Sequence, residues 1–153
     1  MGGIGSGRRR FPFRKARTDE CVILCASKLL RARIFKSNFG KSSLSCGNFA
    51  TGRQLSLTWE LCRSDSVPVL TLRFTVGSLG SVSRITQKVV VQATDTRVGG
   101  KRYWFSCPIV SAKKSVCGRR TMKLYLSPTS NYFGCRQCHD LAYRSAESRC
   151  CLY

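Results

Sequence analysis

The sequence is short of acidic residues and has a single histidine, and both shortages bear on enzyme chemistry. Its 153 residues include 7 Asp and Glu, scattered along the chain, and the one histidine is His139. Acid–base catalysis and open metal sites draw on positioned carboxylates and imidazoles. The composition therefore argues against an enzyme, and we expect a binding protein.

The sequence also lacks the segments that take a chain to or across a membrane. It has no apolar run long enough to span a bilayer and no long basic amphipathic helix. The first ten residues are rich in glycine and then in arginine, with no apolar stretch behind the charges, which is unlike an export signal. We therefore expect a cytoplasmic protein in a reducing compartment, where paired cysteines serve as metal ligands.

Positive charge is what the chain has in excess. It carries 27 Lys and Arg, which gives a formal net charge of +20. Solubility alone is served by mixed charges, so this imbalance indicates a polyanionic partner. Nucleic acid, either DNA or RNA, is the first candidate, within a larger nucleoprotein complex or alone.

Residues 1–17 have the composition of a flexible basic arm. Glycines in the range 2–7 disfavour a fixed shape. The cations that follow surround Phe11-Pro12-Phe13 and are Arg8, Arg9, Arg10, Arg14, Lys15 and Arg17. Such an arm suits binding along phosphates or entry into a minor groove. A solubilising tail is the alternative.

Residues 18–100 are predicted to form a helix packed on a small antiparallel sheet. Thr18 resembles an N-cap, and the apolar run from Cys21 to Phe35 predicts a helix. From Gln54 the apolar residues alternate with polar ones, which is typical of half-buried strands. The inward residues predicted for these strands are Leu55, Leu57, Trp59, Leu61, Leu70, Leu72, Phe74, Val76, Val89, Val91 and Ala93. The stretches from Gly77 to Ser83 and from Asp95 to Gly100 are predicted connections.

Residues 101–149 carry the pattern of a zinc ribbon, followed by a tail at 150–153. Cys107 ends the aromatic run Tyr103-Trp104-Phe105, Cys117 precedes the run from Thr121 to Leu126, and Cys135 and Cys138 form a Cys-x-x-Cys knuckle. Four thiolates suit one structural Zn²⁺ with no open coordination position. The Cys-x-x-Cys half is the stronger signal, since the gap between Cys107 and Cys117 is wide.

Two other interpretations of these cysteines remain open. The string from Cys135 to His139 is also the attachment pattern of c-type haem. Alternatively, Cys135 and Cys138 could bind metal together with Cys150 and Cys151, which leaves Cys107 and Cys117 as buried thiols. The remaining cysteines, Cys21, Cys25, Cys46 and Cys62, lie in apolar patterns and are predicted to be buried rather than reactive.

Basic residues alternate with aromatic ones through the ribbon, a composition typical of nucleic-acid-binding surfaces. We expect most of the aromatic residues to be structural. The ribbon cations predicted to contact nucleic acid are Lys113, Lys114, Arg119, Arg120, Lys123 and Arg136.

Five features occur together in this sequence: the glycine-rich opening from Gly2 to Arg8, the Gly99-Gly100 turn before Tyr103, the segments 117–126 and 133–143, and Cys107-Pro108. Together they resemble a family of small basic bacterial proteins found near mobile elements. The resemblance covers nearly the whole chain and implies a bacterial or phage origin and a cytoplasmic zinc protein. It carries over no known activity. The chain departs from the family pattern at Cys25 and near Thr94-Asp95-Thr96.

The sequence thus predicts an α+β fold that is mostly β, with an N-terminal helix, a small antiparallel sheet and a C-terminal four-cysteine zinc ribbon. The predicted function is non-enzymatic binding of nucleic acid through the phosphate backbone. The alternative is a protein-interaction factor, such as an inhibitor or accessory subunit, that docks on a nucleoprotein complex such as a host defence assembly or the ribosome.

Overall fold

The computed structural model describes residues 15–31, 39–48, 53–64, 67–78, 81–111 and 114–143. The predictions for Arg8, Arg9, Arg10, Arg14, Lys113, Cys150 and Cys151 lie outside these ranges. A 3₁₀ turn at Thr18–Glu20 precedes the regular elements. These are β1 (Val22–Cys25), α1 (Ala26–Arg31), β2 (Phe39–Asn48), β3 (Arg53–Ser64), β4 (Val67–Ser78), β5 (Ser81–Asp95), β6 (Lys101–Ser106), β7 (Arg120–Thr121) and β8 (Lys123–Leu126).

Two antiparallel sheets make up most of the described structure. Six strands pair in the order β2-β3-β4-β5-β6-β7, and β1 pairs separately with β8. Strict alternation of apolar and polar residues explains the long central strands, because successive side chains of a strand point to opposite faces. Leu57, Leu61, Leu70 and Leu72 are accordingly buried on one face. The prediction of a mostly β, antiparallel fold is confirmed.

The predicted N-terminal helix is wrong. Residues 22–25 form β1, and the helix α1 that follows has only six residues. Val22 and Leu24 are buried with the period of a strand, opposite Leu126 and Leu124 of β8. The β-branched pair Val22-Ile23 favours this extended conformation. Pairing with a distant strand therefore overrides the helical spacing of the cysteines and leucines.

Three further details differ from the predicted sheet. The connection between β4 and β5 is shorter than the predicted loop, since β4 extends to Ser78 and β5 begins at Ser81. Ala93 lies on the same face as Val91, as predicted, but it is exposed because burial along β5 ends at Val91. The edge strand β2 was not predicted, and it pairs with β3 along ten residues.

The core lies between the two sheets. Val22, Leu29, Leu124 and Phe133 pack with the buried face of the six-stranded sheet in one cluster. The Phe133 ring meets Phe74 edge-on, with centroids 5.2 Å apart and planes at 76°. The short sheet, α1 and Phe133 therefore cover the inner face of the large sheet. No helix in the described ranges has the length and apolar character to cross a bilayer.

Candidate metal centre

The first pair of cysteines lies in the connection that leaves β6 and returns to β7. The Cys107 amide donates to the Arg119 carbonyl (2.9 Å), and the Gly118 amide donates to the Cys107 carbonyl (3.0 Å). The Cys117 amide donates to the Ile109 carbonyl at 2.8 Å. Gly118 has a φ of +61°, in the left-handed region that favours glycine. These bonds bring Cys117 back beside Cys107 despite the wide spacing between them.

The second pair lies in a turn anchored to β8. Gly134 and Tyr125 exchange two backbone hydrogen bonds of 2.8 and 3.0 Å. After Cys135 the chain turns tightly, and the His139 amide donates to the Cys135 carbonyl at 3.3 Å. Asp140 completes the turn with a φ of +47°. The strand is interrupted at Met122, between β7 and β8. The first cysteine pair is therefore attached to the six-stranded sheet, and the second pair is attached to the two-stranded sheet.

The four sulfur atoms converge on one point. All four Sγ atoms lie within 4.8 Å of one another. The Sγ atoms of Cys107 and Cys138 are 3.8 Å apart, and those of Cys117 and Cys135 are 4.0 Å apart. Zn–S bonds of about 2.3 Å in a tetrahedron place the sulfurs about 3.8 Å apart. The cluster therefore has the size of a four-thiolate metal site.

Backbone amides point at the sulfurs as they do at bound thiolates. The Cys135 amide donates to the Sγ of Cys107 at 3.2 Å, and the Cys138 amide donates to the Sγ of Cys135 at 3.5 Å. Donors around a ligand sulfur fix its orientation and stabilise its negative charge. These two bonds therefore orient the sulfurs of Cys107 and Cys135 within the cluster.

The pKa values of three clustered thiols shift in different directions. Burial raises the pKa of Cys107 to about 11 and also raises that of Cys138. Burial opposes ionisation of Cys135 too, but hydrogen bonds from Cys138 outweigh it and lower the pKa of Cys135 to about 7. Four neighbouring thiolates repel one another, so a divalent ion is required to keep all of them ionised.

His139 packs behind the turn and is not one of the clustered residues. Its Nε2 is buried without a hydrogen-bond partner in the described structure, and burial lowers the pKa of the imidazole. A Cβ on Gly134 would come within 2.8 Å of that Nε2 and within 2.6 Å of Ile109 Cγ1. A larger residue at Gly134 would therefore have to displace the side chain of Ile109 or His139. The haem interpretation leaves Cys107 and Cys117 without a role, whereas the cluster uses both.

A buried glutamine, which the sequence predictions missed, ties the second knuckle to the sheet. Gln87 of β5 donates from Nε2 to the Phe133 carbonyl (2.9 Å) and accepts from the Phe133 amide through Oε1 (2.8 Å). We call this pair of bonds the Gln87 clamp. The sequence feature that could have revealed it is a polar residue at an inward-facing position of β5, in phase with Val89 and Val91. The clamp fixes the backbone two residues before Cys135.

Some of the predicted nucleic-acid contacts surround the cluster. Arg119 is exposed, and its Nη1 lies 3.9 Å from the Sγ of Cys135. The Arg120 guanidinium lies over the Trp104 ring, 5.3 Å from its centroid. Lys114 is exposed in the wide knuckle with a φ of +58°, and Lys123 is partly buried in β8.

Other predicted contacts are held by neighbouring residues. Lys15 forms an exposed ion pair with Asp140 at 2.8 Å. Arg17 binds both oxygens of Asp19, at 3.0 and 2.6 Å. Arg136 donates to the Leu141 carbonyl at 2.9 Å and lies over the ring of Tyr143. These three cations are therefore less available to a partner than those of the wide knuckle.

The four other cysteines in the described ranges are separate thiols. Cys21 and Cys46 are buried, as predicted, whereas Cys25 and Cys62 are only partly buried. Cys21 donates through its sulfur to the Arg17 carbonyl at 3.4 Å. None of them joins the four clustered cysteines in the described ranges.

No protein-family model, curated protein or solved structure matches the chain. The resemblance to mobile-element proteins therefore stays a prediction. Function is inferred from the geometry of the cysteine cluster and the distribution of charge.

Proposed function

We propose that this protein holds one structural Zn²⁺ at Cys107, Cys117, Cys135 and Cys138 and binds nucleic acid through its phosphate backbone. The observation that carries the proposal is the convergence of the four thiols beside exposed cations of the same loop. The protein is proposed to act by binding and not by catalysis. Its origin in a bacterial or phage mobile element rests on the sequence resemblance alone.

The donor set favours zinc among the common metals. All-cysteine, tetrahedral ligation is typical of structural zinc, whereas magnesium and calcium prefer oxygen. Four sulfurs complete the coordination sphere and leave no position for an activated water. The proposed ion therefore stabilises the two knuckles and takes no part in a reaction.

The charge distribution favours a polyanionic partner. Asp19, Glu60 and Asp140 are each paired with a basic residue, at 2.6, 2.9 and 2.8 Å. With 7 acidic residues against 27 Lys and Arg, local acids can neutralise only a minority of the cations. Phosphate contacts from Lys and Arg supply most of the affinity of sequence-independent nucleic-acid binding.

Zinc binding and the basic surface are linked through Arg119. Its guanidinium lies beside the Cys135 sulfur, so the geometry of the metal centre also sets the direction of this side chain. Lys114 lies in the same loop. We therefore expect the zinc-loaded chain to bind nucleic acid and the zinc-free chain to bind it more weakly.

A salt titration of binding to a mixed-sequence DNA duplex tests the proposal. Each phosphate contact contributes about 0.9 to the slope of log affinity against log salt. Lys114→Ala with Arg119→Ala should therefore lower the slope by about 1.8. Lys28→Ala with Arg31→Ala, on α1, is the charge-matched control and should leave it unchanged. Zinc content and thermal unfolding verify that each variant is folded.

Two results would count against nucleic-acid binding. Failure of the zinc-loaded wild type to bind either DNA or RNA at low salt would reject it and favour the protein-interaction alternative. Equal loss of slope in the loop pair and the control pair would show general charge attraction without a binding surface at the metal centre.

A further inference from the structure

The face of the six-stranded sheet that points away from the core is strongly basic. We call it the outer face. Its cations alternate with the buried residues of their strands and are all exposed; they are Lys41, Arg73, Arg84, Lys88, Arg102 and Arg120. Among the described side chains, Glu60 is the one carboxylate on this face, and Arg73 binds it at 2.9 Å. The described covering elements all lie on the opposite side, in the core cluster.

Hydroxyl groups lie between some of these cations. Ten residues line a groove of about 310 Å³ across β2 to β5, and seven of them belong to the outer face: Ser43, Ser56, Thr58, Arg73, Thr75, Arg84 and Thr86. Serine and threonine hydroxyls, like Arg and Lys, commonly donate to phosphate oxygens. The groove therefore offers donors of both kinds at one place.

Strand register arranges the cations as a long stripe. Arg84 and Lys88 lie on β5, and Arg102 of β6 lies opposite Thr94, ten residues beyond Arg84. Ten residues of extended strand cover about 34 Å. One turn of B-form duplex is about 34 Å long. Arg120 lies on β7, opposite Ser106 of β6. It therefore continues the row of cations towards the four clustered cysteines.

Trp104, the aromatic residue among the described side chains of this face, is not free to stack on a base. Both Arg102 and Arg120 lie over the Trp104 ring, 5.6 and 5.3 Å from its centroid. The Trp104 Nε1 donates to Thr94 Oγ1 at 3.0 Å. Proteins that bind single strands present aromatic platforms to the bases. Here the indole ring supports two guanidinium groups instead.

We propose that the outer face is a second binding surface, which docks double-helical nucleic acid along its phosphate backbone. The inference rests on the nucleic-acid binding proposed above and adds its location and the form of the nucleic acid. Cations spread over one helical turn, interspersed hydroxyls and the absence of a free stacking ring on the described face all favour a duplex. Binding is sequence-independent, because such contacts position a protein without reading bases.

The pair Arg84 and Lys88 allows a clean test. Both side chains are exposed, and neither has a hydrogen-bond or ion-pair partner among the described residues. Their replacement by alanine should therefore leave zinc content and thermal stability unchanged. The control is again Lys28→Ala with Arg31→Ala, which removes the same two residue types from the covering layer.

The experiment is a salt titration of the zinc-loaded full chain on a DNA duplex, an RNA duplex and the single DNA strand. We expect tighter binding to a duplex than to the strand, and a duplex slope lowered by about 1.8 in Arg84→Ala with Lys88→Ala. The control pair should keep the wild-type slope.

Several outcomes overturn the inference in distinguishable ways. An unchanged slope for the outer-face pair, with a lowered slope for the pair at Lys114 and Arg119, rejects the outer face alone. Preference for the single strand rejects the duplex. If polyglutamate binds as tightly as the duplex and with the same salt dependence, the partner of the outer face is an acidic protein and not a nucleic acid. No binding by the wild type rejects this inference and the proposed function together.

Discussion

Replacement of Gln87 by methionine should destabilise the fold far more than the size of the change suggests. Methionine has a similar volume but cannot make either hydrogen bond of the Gln87 clamp. The Phe133 amide and carbonyl would then lie buried without partners. Each unsatisfied group costs about 1–3 kcal/mol, which gives about 2–6 kcal/mol for the two. For a chain of this size each kcal/mol lowers the Tm by about 2–4 °C, so we expect a loss of at least about 4 °C.

Gln92 of the same strand provides the matched control. Its Nε2 donates to Ser106 Oγ at 2.7 Å on the partly exposed outer face, where water can replace the lost bond. Gln92→Met should therefore cost at most about 1 kcal/mol. Thermal unfolding followed by circular dichroism in excess zinc compares the two variants. Equal melting temperatures for Gln87→Met and Gln92→Met would refute the reasoning.

The same two variants also distinguish two roles of the clamp, which are positioning of the second knuckle and general stabilisation of the core. Because the clamp fixes the backbone before Cys135, Gln87→Met should also lose zinc to a competing chelator at lower chelator concentration than wild type. Gln92→Met should not. Unchanged zinc retention in Gln87→Met would mean that the clamp stabilises the core without positioning the knuckle.

Three further predictions concern the metal centre and the arm. Gly134→Ala should destabilise the protein by about 1–3 kcal/mol in thermal unfolding through overpacking against Ile109, and Ile109→Ala in the same chain should recover part of that loss. Removal of zinc by a chelator should raise amide hydrogen exchange at Cys117 and Cys135; retained protection would argue against coupling of metal and local structure. Replacement of the three arginines at 8–10 by alanine should lower the salt slope on duplex DNA by roughly two to three, and an unchanged slope would make the arm a solubilising tail.

The sheet and the four clustered cysteines could be predicted from the sequence for different reasons. Leu57, Leu61, Leu70 and Leu72 alternate with polar residues, and alternation is a local signal that survives in the fold. The clustered cysteines could be predicted because thiols at knuckle spacing are typical of metal-binding sites. Cys117 was the weaker case, since the bond from its amide to Ile109 closes the loop only in the folded chain.

The misread elements depend on contacts between distant parts of the chain. β1 pairs with β8, about a hundred residues away, so local spacing at Val22 to Cys25 could not reveal it. β2 carries serines on both faces and shows no alternation. The outer face became visible only through register, which aligns Arg102 with the end of β5. Likewise, the ion pair between Lys15 and Asp140 joins residues 125 positions apart.

The zinc content of the full chain, purified under reducing conditions and measured by elemental analysis, tests the metal centre most directly. We expect one zinc per wild-type chain, loss of zinc in Cys117→Ser, and full retention in Cys21→Ser, whose buried sulfur bonds to the Arg17 carbonyl away from the cluster. A folded wild-type chain without zinc, or full zinc retention in Cys117→Ser, would contradict the four-cysteine site.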